Sequence, residues 1–305
     1  MEWNFDLVAG PYNGPLYGAI WDGKSLLFSD PSKEAIRAYD PSNGKVTEFR
    51  RYMSAIKGMT IDAEGNLYGC QSGARRIVRF NRDGSTSLME DQIVGKFHNQ
   101  PYDLTVDRQG RIWFSDPIDS APTRGPQLQP PLDHQSVLRL EPRAERSSQI
   151  RRMTHDTQSP AAILLSRDQQ TLYLAEKTAA VNGARELRAY PIDGNGNLGL
   201  YTVLHTFGAD HRGVHRGIAG MCLDSEGNIV ACAGWDRSGP GPMVYVIAPS
   251  GRVLETHPVP ADQPLMCAFG DTDLRALYVT THGGHLYRVR ETGRQGWQLY
   301  PRSNQ

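Results

Sequence analysis

The chain has 305 residues, 39% of them hydrophobic, and its 33 basic and 33 acidic side chains cancel. That balance, with no basic stripe interleaved with aromatics, argues against a nucleic-acid partner. The opening MEWNFDLVAGPYNG lacks a basic segment followed by an apolar one, and no run approaches the roughly 18 apolar residues of a spanning helix, so the expectation is a cytoplasmic protein with no membrane partner.

In chain order, one sentence recurs. WDGKSLLFSD (Trp21 to Asp30), MTIDAEGNLYG (Met59 to Gly69), NQPYDLTVDRQGRIWFSDP (Asn99 to Pro117), ILLSRDQQTLYLAE (Ile163 to Glu176), MCLDSEGNIVA (Met221 to Ala231) and CAFGDTDLRALYVTT (Cys267 to Thr281) each read as strand, Asp-containing turn, strand. Measured at Asp22, Asp62, Asp107, Asp168, Asp224 and Asp273, the intervals are 40, 45, 61, 56 and 49 residues. A period of roughly 40 to 50 residues suits a four-stranded propeller blade.

A second unit follows each hairpin: AIRAYDPSNGK, RIVRFNRDGS, SVLRLEP, ELRAYPIDGNGN, VYVIAPSGR and HLYRVRETGR. It supplies a third strand leading through a Gly or Asn/Asp turn to a fourth. Helical periodicity is almost absent. The expectation is an all-β chain, a single six-bladed β-propeller domain over 1–305 with four antiparallel strands per blade. The N-terminal WNFDLVAG is placed as the outermost strand of the last blade beside GWQLYP, closing the ring and removing sheet edges. Ile118 to His134 contains APTRGPQLQPP, a Pro-rich insertion read either as a surface excursion or as a lid over the channel. The cysteines Cys70, Cys222, Cys232 and Cys267 fall in strands without metal-like spacing and read as buried, reduced thiols.

Inner strands line a propeller's channel, and small-molecule sites gather where they meet its mouth. Aligning the hairpins by their turns places Tyr17, Lys57, Tyr102, Ala161, Ala219 and Met266 there, supported by Gly18, Gly58, Asp103, Ala162, Gly220 and Cys267.

Over nearly its whole length the chain resembles the senescence marker protein, gluconolactonase and luciferin-regenerating enzyme family. The blocks that carry the resemblance are GPLYGAIWDGKSLLFSDP, GARRIVRFNRDGST, NQPYDLTVDRQGRIWFSDP, SRDQQTLYLAE, HRGIAGMCLDSEGNIVA and CAFGDTDLRALYVTT. It implies a six-bladed propeller that hydrolyses lactones or related esters and holds one divalent cation in its channel. The ion's positions depart from the pattern: Tyr17 stands at the family's Glu, Tyr102 at the second Asn of NSPND, Ala161 at the Asn of PNGL, and Ala219 at the Asp of DGM. A hard cation needs several oxygen ligands, which Ala cannot offer. The expectation is therefore no metal and no cofactor.

Lys57 stands where the family commonly has Asn. A lysine among Tyr, Ala and Met is desolvated, which suits a general base or Schiff-base nucleophile. Tyr17 and Tyr102 would then serve as acids or oxyanion donors. Asn99, Ala161, Ala219, Met266 and His215 are assigned to substrate binding, and the partner is a small molecule less polar than a sugar lactone. His98, Glu176 and His282 lie near strand ends within possible reach of the site.

Other readings accompany this one. Lys57 turns outward or pairs with Asp103; the tyrosines fill space; His215 and Arg216 brace the blade-five loop. A metal-dependent lactonase with relocated ligands, for example His98, His215 and His282, is one alternative function, and a non-catalytic binding propeller is another.

Overall fold

The computed structural model describes residues 2–119, 130–141, 149–178, 180 and 182–300, and it contains six four-strand antiparallel blades arranged in a ring. The inner strands are Tyr17–Trp21, Ile56–Ile61, Leu104–Val106, Pro160–Leu165, Ile218–Asp224 and Pro264–Gly270. Within blades one to five the strands follow in chain order from the channel outward.

The recurring Asp is a turn-former in all six hairpins. Its Oδ1 accepts backbone N–H groups two to four residues on: Lys24 and Ser25 at Asp22, Asn66 at Asp62, Gln109 and Arg111 at Asp107, Gln170 at Asp168, Glu226 and Asn228 at Asp224, and Arg275 at Asp273. An Asx turn of this kind satisfies donors that the reversing chain leaves without ladder partners.

Apolar residues alternate along the strands and pack between the faces of neighbouring blades. Leu27, Ile36, Met59, Leu67 and Val78 join blades one and two, and Cys70, Ile77, Leu104 and Phe114 join blades two and three. All four cysteines are free thiols in this packing. Where the inner strands converge, bulk is excluded. A Cβ on Gly58 would lie 2.6 Å from the Asp103 carboxylate, and one on Gly220 would lie 2.4 Å from the Leu265 carbonyl oxygen.

The ring closes at its N-terminal end. Asp6–Ala9 pairs with Leu286–Val289 and forms the outer strand of blade six. GWQLYP does not lie beside it, contrary to the sequence-based expectation. Gly296–Trp297 pairs instead with the blade-five inner strand, at Asp224 and Leu223, because the edge it was assigned to is already filled. From there the chain runs under the disc: Gln298 Nε2 donates to the Trp21 carbonyl and the Tyr300 hydroxyl to that of Val106. This segment floors an apolar chamber of about 170 Å³ inside the channel. Among the described residues no helix is long and apolar enough to cross a membrane.

Candidate active site at the channel mouth

Five inner strands break register at the mouth, between Tyr17 and Ile20, Ile56 and Met59, Pro160 and Ile163, Ile218 and Gly220, and Pro264 and Cys267. A bulge re-aims the side chains next to it. Here it turns the residues assigned to the mouth toward one point. Tyr102, Ala161, Ala219, Leu265 and Met266 form one apolar cluster, with Tyr17 and Ala19 packed on it. The rings of Tyr17 and Tyr102 meet edge to face at 6.3 Å.

Lys57 completes the group. Its ammonium lies 5.8 Å from the centre of the Tyr17 ring and 5.1 Å from that of Tyr102, within range of cation–π attraction. Its ion partner is Asp119, not Asp103. Asp119 is held at the root of the insertion, where its backbone N–H donates to the Gln100 side chain at 2.9 Å. Of the insertion Ile118 to His134, read as a surface excursion or a lid, residues 120–129 lie outside the described residues.

The two tyrosines differ in what their hydroxyls do. Tyr102 donates to the Ala219 carbonyl at 3.1 Å and serves as a wall. Burial, reinforced by the Asp119 carboxylate, pushes the Tyr17 hydroxyl up to about 12, so at neutral pH Tyr17 is a hydrogen-bond donor. Asp103 sits below the cluster in the chamber wall and accepts from the Leu104 and Ile163 N–H groups.

Two further cations lie in the mouth: Lys177, to which the sequence reading assigns no role, and Arg216, which it reads as a brace for the blade-five loop. Lys177, at the end of the second strand of blade four, brings its ammonium 5.5 Å from the Tyr102 ring, opposite in sequence origin to Lys57. Burial, then Arg216 and Lys57, hold it well below the ordinary lysine range. Arg216 donates through Nη1 to the Pro264 carbonyl at 3.2 Å, spanning blades five and six. His282 lies nearby at the rim; partial desolvation and the Arg216 charge lower it, against the Asp262 carboxylate.

The remaining assigned residues lie away from this cluster. Asn99 is buried with its amide fully engaged: Nδ2 donates to the Asp116 and His134 carbonyls, and Oδ1 accepts from Leu132 N–H. His215 stacks on Phe207 at 4.6 Å, and its Nδ1 accepts from Gly217 N–H. His98 packs against Phe114, and Glu176 accepts from Ser159 N–H. His98, His215 and His282 therefore do not converge as relocated ligands, and among the described residues no trio of His, Cys, Asp or Glu is grouped to hold a metal ion.

The mouth itself does not fit a divalent cation. Of the four positions tied to the ion by resemblance, two are Ala, one is a Tyr whose hydroxyl donates to a carbonyl, and one is a Tyr kept protonated by burial. An ammonium already lies over both rings.

A closed six-bladed disc with its polar cluster at one end of a floored channel defines a propeller of the small-molecule-site class. Residues 17–283 match the family described as SMP-30/gluconolactonase/LRE-like region, and the chain belongs to that lactonase-type family. It is 26% identical over 295 residues to a gluconolactonase of Zymomonas mobilis, spanning 90% of this chain and 77% of the relative. A 6-deoxy-6-sulfogluconolactonase of Pseudomonas putida is 29% identical over 264 residues, 86% of this chain and 81% of the relative. Among solved structures, a gluconolactonase of Xanthomonas campestris superimposes with a TM-score of 0.76 at 27% identity, covering 94% of this chain and 89% of the other.

Proposed function

We propose that the chain hydrolyses a lactone or related cyclic ester at the channel mouth without a divalent cation at the four substituted positions. The observation that carries this is the Lys57–Asp119 ion pair set against the Tyr17 and Tyr102 rings. Its place is the cluster formed by those substituted positions. An ion-paired ammonium polarises a carbonyl instead of attacking it, so Lys57 and the Tyr17 hydroxyl serve as donors to the developing oxyanion. Asp119 takes a proton from water as the water oxygen bonds to the carbonyl carbon. The ring C–O bond then breaks, and that proton passes to the leaving alkoxide. The apolar floor of Ala161, Ala219 and Met266 favours a reacting ring less polar than a sugar lactone.

The test is turnover of a panel of lactones by wild type, Lys57→Met and Asp119→Asn, with and without chelator. Loss of one oxyanion donor or of the base lowers kcat by roughly 100-fold or more, while chelator has no effect. Retained turnover in Lys57→Met, with its melt matching wild type, removes Lys57 from the mechanism. Activity restored by a stoichiometric divalent ion overturns the metal-free reading.

A further inference from the structure

The charges at the mouth do not balance. Three cations, Lys57, Lys177 and Arg216, come from the inner strand of blade two, the second strand of blade four and the segment entering blade five. Among the described residues the Asp119 carboxylate faces them, ion-paired with Lys57, and Asp262 lies near His282 at the rim. Neither Lys177 nor Arg216 has an ion pair among the described residues, and Arg216 uses Nη1 on a carbonyl.

Elsewhere several buried or partly buried arginines are ion-paired, Arg139 with Glu141, Arg188 with Glu186, Arg288 with Asp271, Arg294 with Asp224 and Glu255, while others, such as Arg50 and Arg152, bond to carbonyl and hydroxyl oxygens. Crowding like charges in a poorly hydrated site is unfavourable unless a ligand of opposite sign completes it.

Lys177 and Arg216 come from neighbouring pieces of chain. A Cβ on Gly217 would lie 3.6 Å from Lys177 Cγ, and Gly217 adopts a φ of +75°. Arg216 precedes this glycine, so the turn at Gly217 brings Arg216 beside the Lys177 stem. The depressed Lys177 ammonium is the state an incoming anion reverses, since a negative neighbour favours the charged form.

We infer that Lys177 and Arg216 form a subsite for an anionic substituent, so that the substrate is a lactone carrying a carboxylate or an acid of similar charge. This rests on the lactone reading for the reacting group but not for the anion, and the experiment separates the two. The probes are γ-carboxy-γ-butyrolactone, its neutral carboxamide, and the dicarboxylate formed by opening the former. Wild type, Lys177→Met and Arg216→Gln are compared by turnover and by calorimetric binding of the dicarboxylate, with thermal melts to confirm folding.

The expected result is a kcat/KM for the carboxylate about tenfold or more above that for the amide. Each substitution raises KM for the carboxylate more than for the amide and weakens dicarboxylate binding. Equal handling of the two lactones, together with dicarboxylate binding that is absent or survives both substitutions, overturns the subsite. If neither lactone opens but the dicarboxylate binds wild type and not the variants, the anion subsite stands and lactone hydrolysis falls.

Discussion

Lys57 and Lys177 stand 5.1 and 5.5 Å from the same Tyr102 ring, and of the two Lys57 has an ion pair among the described residues. Burial holds the Lys177 ammonium well below the ordinary lysine range, and the Lys57 ammonium pairs with Asp119. Lys57 was legible because it interrupts an aligned column of mouth positions. Asp119 belongs to an insertion with no counterpart in other blades, and Lys177 ends a second strand, so no repeat pointed to either. Burial also marks residues remote from the mouth. His98 is fully buried with neither ring nitrogen hydrogen-bonded, and burial, with Arg75 nearby, pushes it down to about 3. A folded-state value below the ordinary 6.5 means stability present above pH 6.5 and lost as pH falls toward 3. Asp103 and Asp116, raised to about 7 by burial, work in the opposite direction over part of that range. Comparison with His98→Leu isolates the histidine. Between pH 6.5 and 5 the stability difference from urea titrations should move in the variant's favour by about 2 kcal/mol; a constant difference would show that His98 takes up its proton as readily in the folded state as in the unfolded one.

At the scale of elements, hairpins repeated with an Asp at each turn were readable, because the same backbone problem is solved the same way each time. The bulges that aim Tyr17 and Lys57 into the mouth were not, since a bulge shifts register without changing the alternation of residue types enough to be seen. The clasp between the N-terminal strand and blade six is another feature of backbone contact. Gly284 has a φ of +79°, and a Cβ there would lie 2.2 Å from the Tyr12 carbonyl oxygen; Gly44, with a φ of +70°, has open space around it. Gly284→Ala should therefore cost more than Gly44→Ala by about 1–3 kcal/mol, beyond the common penalty for positive φ. Thermal melts of the two variants decide it, and equal losses would mean that the clasp yields to the extra carbon.

For the whole molecule, six blades and a closed ring followed from period and composition. The floor of the channel did not, because Gly296–Trp297 is a two-residue strand with no periodic signal. Its passage depends on a single residue type: a Cβ on Gly296 would lie 2.1 Å from Phe269 Cβ. Trp297 then lines the chamber with Trp21, under the Arg167 guanidinium at 4.5 Å. Trp297→Ala should lower stability by about 2–4 kcal/mol and raise acrylamide quenching of the remaining tryptophan emission, as Trp21 gains a path to solvent. Unchanged quenching would indicate that the floor stays closed without the indole. The strand that completes blade six has a different kind of consequence. Asp6–Ala9 precedes the inner strands of all six blades in the chain, and its partner Leu286–Val289 follows all of them. A nascent chain must therefore carry that strand unpaired while the intervening blades are made, with five blades already able to form, and its pairing converts an open row of sheets into a ring in one late event.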